Sequence, residues 1–191
     1  MASGAQSHEF IRLREKQSSG FFGRIFREGS KTLKQHGIKD RCSLVVQILP
    51  EAEVLGNNDY VLFFSKRDSE TRTYVDTRQL MINAQRIGDL QLKALELFGA
   101  EDSSVASMKI CKHVPHQFTW KELDPEEEVT VKVKKKSTKH RAGDLELNKP
   151  PILLKDGDHI GVLVDGSAAD DLQTEADAEA AEAFRVQKEE Q

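Results

Sequence analysis

The sequence has little of what several common protein classes require. Its 191 residues include two cysteines, five prolines and one tryptophan. Two cysteines, Cys42 and Cys111, are too few for a disulfide framework in a chain of this length, so we expect free thiols. No apolar run approaches the roughly 20 residues that span a bilayer, and the first ten residues lack the apolar segment of a secretory signal. These absences predict a soluble protein of the cytoplasm, the nucleus or both, without a membrane span.

Charge and apolar content divide the chain into three regions. Charged residues make up 31% of the chain and apolar residues 38%, which predicts a modest folded core with solvated flanks. We expect residues 1–40 to be a flexible basic arm with short apolar clusters, residues 42–165 to be the folded domain, and residues 166–191 to be an acidic, mostly disordered tail. A marginal helix from about Thr174 is the alternative for this tail. The apolar cluster around Phe22 is either docked on the domain or a short linear motif for a partner. The net charge of −4 argues against nucleic acid as the main partner.

Residues 86–99 carry the one long helical pattern, RIGDLQLKALELFG. Asp89 lies where a carboxylate favours the start of a helix, and Gly99 follows the last apolar pair, where helices often end. Leu92 points away from the apolar stripe, so we expect it to be exposed while Leu90 and Leu97 are in the core. The stripe is predicted to consist of Ile87, Leu90, Ala94, Leu97 and Phe98, with Leu95 at its edge.

On both sides of this helix the apolar pattern becomes that of strands. A mostly β chain with one long helix predicts an α+β domain in which a sheet buries one face against that helix. Residues 134–141 form a basic run, expected to be a loop between two strands. The predicted strands are residues 43–49, 60–65, 73–83, 105–112, 117–122 and 129–133, followed by a closing hairpin of residues 152–154 and 160–164.

The predicted order of elements is two strands, one helix that begins with Ile-Gly-Asp-Leu, and then further strands. This order resembles the ubiquitin-like (β-grasp) fold, in which a mixed sheet packs on one central helix. Residues 152–164, ILLKDGDHIGVLV, and residues 107–123, SMKICKHVPHQFTWKEL, look like the C-terminal ubiquitin-like region of ubiquitin-specific proteases. The resemblance covers about residues 42–165, with insertions at 50–72 and 134–150. It implies a place in the ubiquitin pathway beside a deubiquitinating cysteine protease.

The Cys and His boxes that this protease family needs for catalysis are missing from the sequence. Cys42 and Cys111 both lie in strand patterns, where cysteines are usually inert core residues. His113 and His116 lie near Cys111, so these three residues are the candidates for a Cys–His contact or a metal site. The trio lacks paired Cys-x-x-Cys spacing and an orienting Asn or Asp. We therefore expect no catalytic residue, no metal and no cofactor, and Gly161 and Gly166 do not form the Gly-Gly end of a modifier.

The favoured hypothesis is a noncatalytic protein-interaction module that binds a protein partner or the parent catalytic domain. If the domain has ubiquitin-like geometry, the expected contact surface is the face of the sheet opposite the helix. The basic run is a second candidate contact surface. The candidate partner-binding residues are Lys109, Lys112, Thr119 and Lys121 on the strands, and Lys134, Lys135, Lys136, Lys139 and Arg141 in the basic run.

Two other functions fit parts of the sequence. The first is a protein whose basic loop binds nucleic acid or an anionic surface, although that loop has no aromatic residue on which a base could stack. The second, weaker still, is a stand-alone thiol hydrolase that uses Cys111. The basic run and the acidic tail are also expected to associate diffusely and in a salt-sensitive way.

Overall fold

The computed structural model describes residues 8–16, 22–133, 136–164 and 172–189. These residues form an α+β structure with short 3-10 turns between some of its elements. The strands are β1 (Ile11–Lys16), β2 (Phe22–Ile25), β3 (Leu44–Ile48), β4 (Asp59–Arg67), β5 (Tyr74–Asn83), β6 (Lys109–Val114), β7 (Thr119–Glu122), β8 (Glu128–Val133), β9 (Lys136–Arg141) and β10 (His159–Leu163). The helices are α1 (Ile87–Phe98) and α2 (Glu175–Glu189).

A mixed five-stranded sheet is the centre of the fold, with the strand order β5-β4-β10-β6-β7. β10 runs parallel to β4 and antiparallel to β6, and the outer pairs are antiparallel. α1 connects β5 to β6 and lies over one face, which we call the front face. The opposite face, which carries Phe63, Cys111 and Gly161, is called the rear face. The prediction of an α+β fold with a mixed sheet and a central helix is confirmed.

Helix α1 begins and ends within one residue of its predicted bounds. The Asp89 carboxylate accepts hydrogen bonds from the backbone N–H groups of Gln85 (2.7 Å) and Arg86 (3.0 Å), which caps the first turn. Leu90 is fully buried, whereas Leu97 is only partly buried against the core. Leu92 is 56% exposed. The predicted orientation of the helix is therefore confirmed, with Leu97 at the margin of the core rather than inside it.

Gly99 follows the last residue of the helix, but it does not adopt the left-handed conformation of a common glycine cap. Its φ of −66° is ordinary for any residue. A Cβ at this position would lie 2.5 Å from the Leu95 carbonyl oxygen, so the close approach of the chain to the helix end requires glycine.

The front core is built from alternating residues of the central strands. Leu62 and Phe64 on β4, and Ile160 and Val162 on β10, are buried at or below 1% exposure beneath α1. The prediction that residues 152–154 form a hairpin with β10 is wrong. Ile152 and Leu154 insert into the core from a turn, and β10 instead lies between β4 and β6.

The N-terminal region, expected to be a flexible arm, contributes β1 and β2 to a separate three-stranded sheet. Its order is β2-β1-β3, and β1 pairs antiparallel with both neighbours. β3, predicted as a strand of the main domain, thus pairs with the N-terminal region. The two apolar clusters of residues 1–40 become neighbouring strands because each can bury apolar side chains only when paired.

This small sheet meets the five-stranded sheet at the turn around Gly157. Gly157 has a φ of +82°, and a Cβ there would lie 2.5 Å from the Phe22 carbonyl oxygen. Beside it, Arg27 forms an ion pair of 2.6 Å with Asp156, whose carboxylate also accepts a hydrogen bond from the Val61 N–H. The turn therefore needs glycine both for its backbone conformation and for this contact.

The basic run and the acidic tail are also more regular than predicted. Residues 136–141 form β9, which pairs antiparallel with β8 in a hairpin, so the expected loop is a strand over this range. In the tail, residues 175–189 are helical, and Thr174 Oγ1 accepts a hydrogen bond of 3.0 Å from the Asp177 N–H at the helix start. Among the described residues, no helix is long and apolar enough to cross a membrane.

Replacing Leu90 by alanine is expected to lower the free energy of unfolding by about 2–5 kcal/mol, because it leaves a cavity in the core. Leu92→Ala is the matched control on the same helix and should cost well under about 1 kcal/mol, since Leu92 is exposed. Urea unfolding followed by circular dichroism measures both. Equal losses for the two variants would contradict this orientation of α1.

Gly157→Ala is expected to destabilise the chain by about 1–3 kcal/mol, because it combines a positive φ with a clash against the backbone of β2. Gly88→Ala is the control, since nothing lies within 4 Å of a Cβ at Gly88. Alanine there should be neutral or stabilise by up to about 1 kcal/mol through helix propensity. Thermal unfolding that ranks the two variants in the reverse order would refute the assigned contact.

Candidate functional site on the rear face

The rear face of the five-stranded sheet is apolar at its centre. Val61 and Phe63 on β4, Cys111 on β6 and Leu163 on β10 are all buried, at 8% exposure or less, on the side away from α1. A sheet that is apolar on both faces has to be covered twice. The rear face is covered by two separate segments, one from each end of the chain.

The N-terminal cover depends on Arg14 of β1, which is fully buried. Its guanidinium donates to the Gly23 carbonyl oxygen at 3.0 Å and to Gln79 Oε1 at 2.9 Å, and it lies 5.6 Å from the centre of the Phe63 ring. Burial, with Arg12 nearby, lowers the pKa of Arg14 to about 10. The group therefore stays charged at neutral pH, with acceptors in place of water.

Beside this cover lies a cluster of aromatic and imidazole rings. The Tyr74 ring stacks on the Trp120 ring at 3.8 Å between centroids, and the His113 ring lies 4.7 Å from the same Trp120 ring. Tyr74 sits directly over Gly161, where a Cβ would lie 2.3 Å from the tyrosine ring. The glycine on β10 is thus what lets the ring lie flat against the sheet.

The C-terminal cover consists of residues 172–177. The Asp177 carboxylate accepts hydrogen bonds from Trp120 Nε1 (3.0 Å) and His113 Nε2 (3.2 Å). The Tyr74 hydroxyl donates to the Leu172 carbonyl oxygen at 3.2 Å. Burial opposes ionisation of Asp177, but the donors from Thr174 and Trp120 and the nearby His113 outweigh it, so the pKa of this carboxyl is lowered. Asp177 is therefore an ionised anchor at neutral pH.

Cys111 lies beneath this cluster as a neutral thiol. Its sulfur is 3.2 Å from the Tyr74 hydroxyl and 3.5 Å from the Gly161 carbonyl oxygen. Burial raises the pKa of Cys111 to about 12 and also raises the pKa of Tyr74. Since the thiolate is the nucleophilic form, this environment disfavours nucleophilic chemistry. In the part of the chain that the structure describes, no group of three or more His, Cys, Asp or Glu side chains is arranged to hold a metal ion.

The strand residues predicted to bind a partner do not share one face. Lys112 faces Ile160 of the front core and pairs with Asp158 at 2.7 Å. Lys121 is the cross-strand neighbour of Lys112, and Thr119 shares its parity, so both lie on the front side. Only Lys109 lies on the rear face. The expectation that alternation places all four opposite the helix is corrected for the other three.

The residues of the basic run are divided in a similar way. Lys134 and Lys135 lie outside the described residues, and Lys136 is described only as the first residue of β9. Lys139 pairs with Glu128 at 2.8 Å and Arg141 pairs with Glu126 at 2.9 Å. These are exposed ion pairs, which contribute little to stability. A binding role for these residues remains a prediction.

Sequence reasoning missed Tyr74, Trp120 and Asp177 as members of one site. One signal was available, because residues 60–65 read YVLFFS, a continuous apolar run rather than an alternating one. Such a run indicates a strand that is buried on both faces. The contacts between distant residues leave no such local pattern. Trp120 and Asp177, for example, are 57 residues apart in the sequence.

Fold and site together define an α+β protein with a mixed five-stranded sheet that is covered on both faces. The chain is similar to ubiquitin carboxyl-terminal hydrolase 40 of Homo sapiens, with 28% identity over 144 residues, or 73% of this chain and 11% of the relative. It is also 28% identical to the Mus musculus protein of the same name over 142 residues. The predicted resemblance to a ubiquitin-specific protease is thereby confirmed. The chain spans about a tenth of the length of these curated relatives, and no protein-family model matches it.

Acid is expected to destabilise the fold through His159 on the rear face. Burial, with the nearby His113, lowers the pKa of His159 from 6.5 to about 4. Between these values the unfolded chain binds a proton that the folded chain does not, so stability falls as the pH falls, by roughly 3 kcal/mol in all. Urea unfolding at a series of pH values measures this loss.

The variant His159→Gln is the control for that titration, because glutamine cannot take up the proton. Its stability should depend much less on pH between about 6.5 and 4. A variant that loses stability over this interval as steeply as the parent chain would show that another group is responsible.

Proposed function

We propose that this chain is a noncatalytic ubiquitin-like module that binds proteins of the ubiquitin pathway. The observation that carries the proposal is the strand order. Numbered along the chain within the five-stranded sheet, the strands lie in the order 2-1-5-3-4, with the first and last parallel and α1 between the second and third. This is the arrangement of the ubiquitin-like β-grasp fold, so the topology supports the resemblance noted in the sequence.

The similarity to ubiquitin carboxyl-terminal hydrolase 40 supports the choice of pathway. A module related to part of a hydrolase can act by binding the catalytic domain, or another protein of the pathway, and so change the rate of ubiquitin release. Fold alone does not specify function. The proposal therefore assigns binding to this chain and leaves catalysis to the hydrolase.

The state of Cys111 supports a noncatalytic role. With a buried side chain and a pKa raised to about 12, the thiol is almost entirely protonated at neutral pH. A cysteine protease needs a nucleophile that is deprotonated by an adjacent base and open to the substrate. With its side chain buried beneath Tyr74, Cys111 has neither property.

The test adds the purified chain to the catalytic domain of ubiquitin carboxyl-terminal hydrolase 40 and measures binding by calorimetry and turnover of a fluorogenic ubiquitin substrate. We expect saturable binding and a change in kcat/KM, whereas the chain alone gives no turnover. Lys121→Glu should weaken binding about tenfold, because the proposed contact includes this exposed lysine and the change reverses its charge. Lys93→Glu, on the outer side of α1, is the matched control and should bind as the parent does.

No binding to the hydrolase and no change in its turnover would refute this proposal. Salt-sensitive retention on heparin, abolished by neutralising Lys139 and Arg141, would instead favour a module that binds anionic surfaces through β9. Turnover of the ubiquitin substrate by the chain alone, lost in Cys111→Ser, would show an enzyme.

A further inference from the structure

The C-terminal cover of the rear face is held in the way a protein domain holds a bound peptide. Two of its backbone carbonyl groups, one carboxylate and one aromatic ring contact side chains on the sheet or directly beside it. Leu172 O accepts from the Tyr74 hydroxyl, and the Arg67 guanidinium lies 3.4–3.5 Å from the carbonyl oxygens of Leu172 and Gln173. The Gln173 side chain donates to the Phe118 carbonyl oxygen at 2.9 Å.

Two further contacts give this segment its register. The Asp177 carboxylate is held by Trp120 and His113, and it also accepts a hydrogen bond of 2.7 Å from Thr174 Oγ1 within the segment. Seven residues further along α2, the Phe184 ring lies 5.7 Å from the Phe118 ring. The carboxylate and the aromatic ring thus lie on one side of α2, two helical turns apart.

The segment does not pack on the sheet as a core element does. Phe184 is 55% exposed and Val186 is 46% exposed. A recess of about 560 Å³ remains between the segment and the sheet, with Ser65, Thr77 and His159 in its wall. The recess is open to solvent, so the segment lies against the sheet without the close packing of a core element. A helix of 15 residues held mainly by polar contacts at its first turn is marginal by itself and easily released.

Tethering explains why the segment is nevertheless bound in the isolated chain. A ligand attached to its own site is present at an effective concentration of about millimolar or higher, so weak contacts suffice to keep it in place. A partner segment on another molecule that carries the same groups displaces the chain's own segment when it binds the rear face more tightly than the tethered segment does.

We propose that the rear face is a peptide-binding site, occupied in this chain by its own residues 172–184. The partner it fits is a protein segment that begins a helix with the pattern Thr-x-x-Asp and carries an aromatic residue seven positions after the aspartate. Trp120 and His113 select the carboxylate, Phe118 selects the ring, and Tyr74 and Arg67 hold the backbone before the helix. The inference shares with the proposed function only the premise that the chain is an interaction module.

The experiment uses the full chain and a fluorescein-labelled peptide of residues 171–188. In the variant Asp177→Asn/Phe184→Ala the chain's own segment loses both side-chain anchors. We expect this variant to bind the peptide at least about tenfold more tightly than the parent chain does, because the parent's own segment competes. Phe184→Ala alone, a change at an exposed side chain that leaves the sheet intact, should give a smaller gain.

Matched peptides test the recognition of each anchor. A peptide with Asp177→Asn should bind at least about tenfold more weakly, since a charged acceptor of two hydrogen bonds is lost. A peptide with Glu182→Gln is the control, because Glu182 is exposed and pairs with Arg185 on the same helix, and it should bind as the parent peptide does. Equal affinity for the two altered peptides would overturn the assignment of Asp177.

Trp120 reports the location of binding because it is the single tryptophan of the chain. Its emission should shift to longer wavelength in the double variant and return when the peptide is added. Peptide binding without this return would place the peptide elsewhere and overturn the proposal. Identical emission and absent binding in parent and variant would also overturn it. None of these readouts involves the hydrolase, so they fail or succeed independently of the proposed function.

Discussion

The fold depends on two parallel neighbouring strands, β4 and β10, that are apolar on both sides. β4 sends Leu62 and Phe64 to the front and Val61 and Phe63 to the rear, and all four are buried. One helix covers one face of such a sheet, and leaving the second face in water would forfeit about 25 cal/mol for each Å² of apolar surface. The segments before and after the five-stranded sheet therefore have to supply a second layer.

The two rear covers differ in how they are built. The N-terminal cover is fixed by a fully buried arginine and by a glycine whose replacement would clash with the backbone of β2. Removing the acceptors of Arg14 would leave its buried charge unpaired, and replacing Gly157 would create a steric conflict with β2. The N-terminal cover is therefore a permanent part of the fold. The C-terminal cover relies on partly buried hydrogen bonds around Asp177 and one half-exposed ring pair, so it fits the role of a replaceable occupant.

Burial between these covers also decides the chemistry of the rear face. The same removal of water that raises the pKa of Cys111 lowers the pKa of His159, because burial disfavours the charged form of each group. Asp177 is the exception, since three hydrogen bonds, two from Thr174 and one from Trp120, together with the nearby His113 stabilise its charge. The rear face thus offers aromatic rings and N–H donors to one carboxylate, which is the chemistry that the proposed recognition of an acidic segment requires.

The sequence alone determined the local elements of this protein, and the tertiary structure decided how they pair. Periodicity placed α1, its buried Leu90 and its exposed Leu92, because a helical face is set by residues three and four apart. It could not decide that β3 joins β1, that residues 152–154 enter the core as a turn, or which of Lys109 and Lys112 lies on the same side of the sheet as α1. Strand alternation has the same period whichever partner a strand takes. Local sequence patterns could not predict the rear site for the same reason. Tyr74, Trp120 and Asp177 meet only when the five strands have paired and the C-terminal segment covers the rear face.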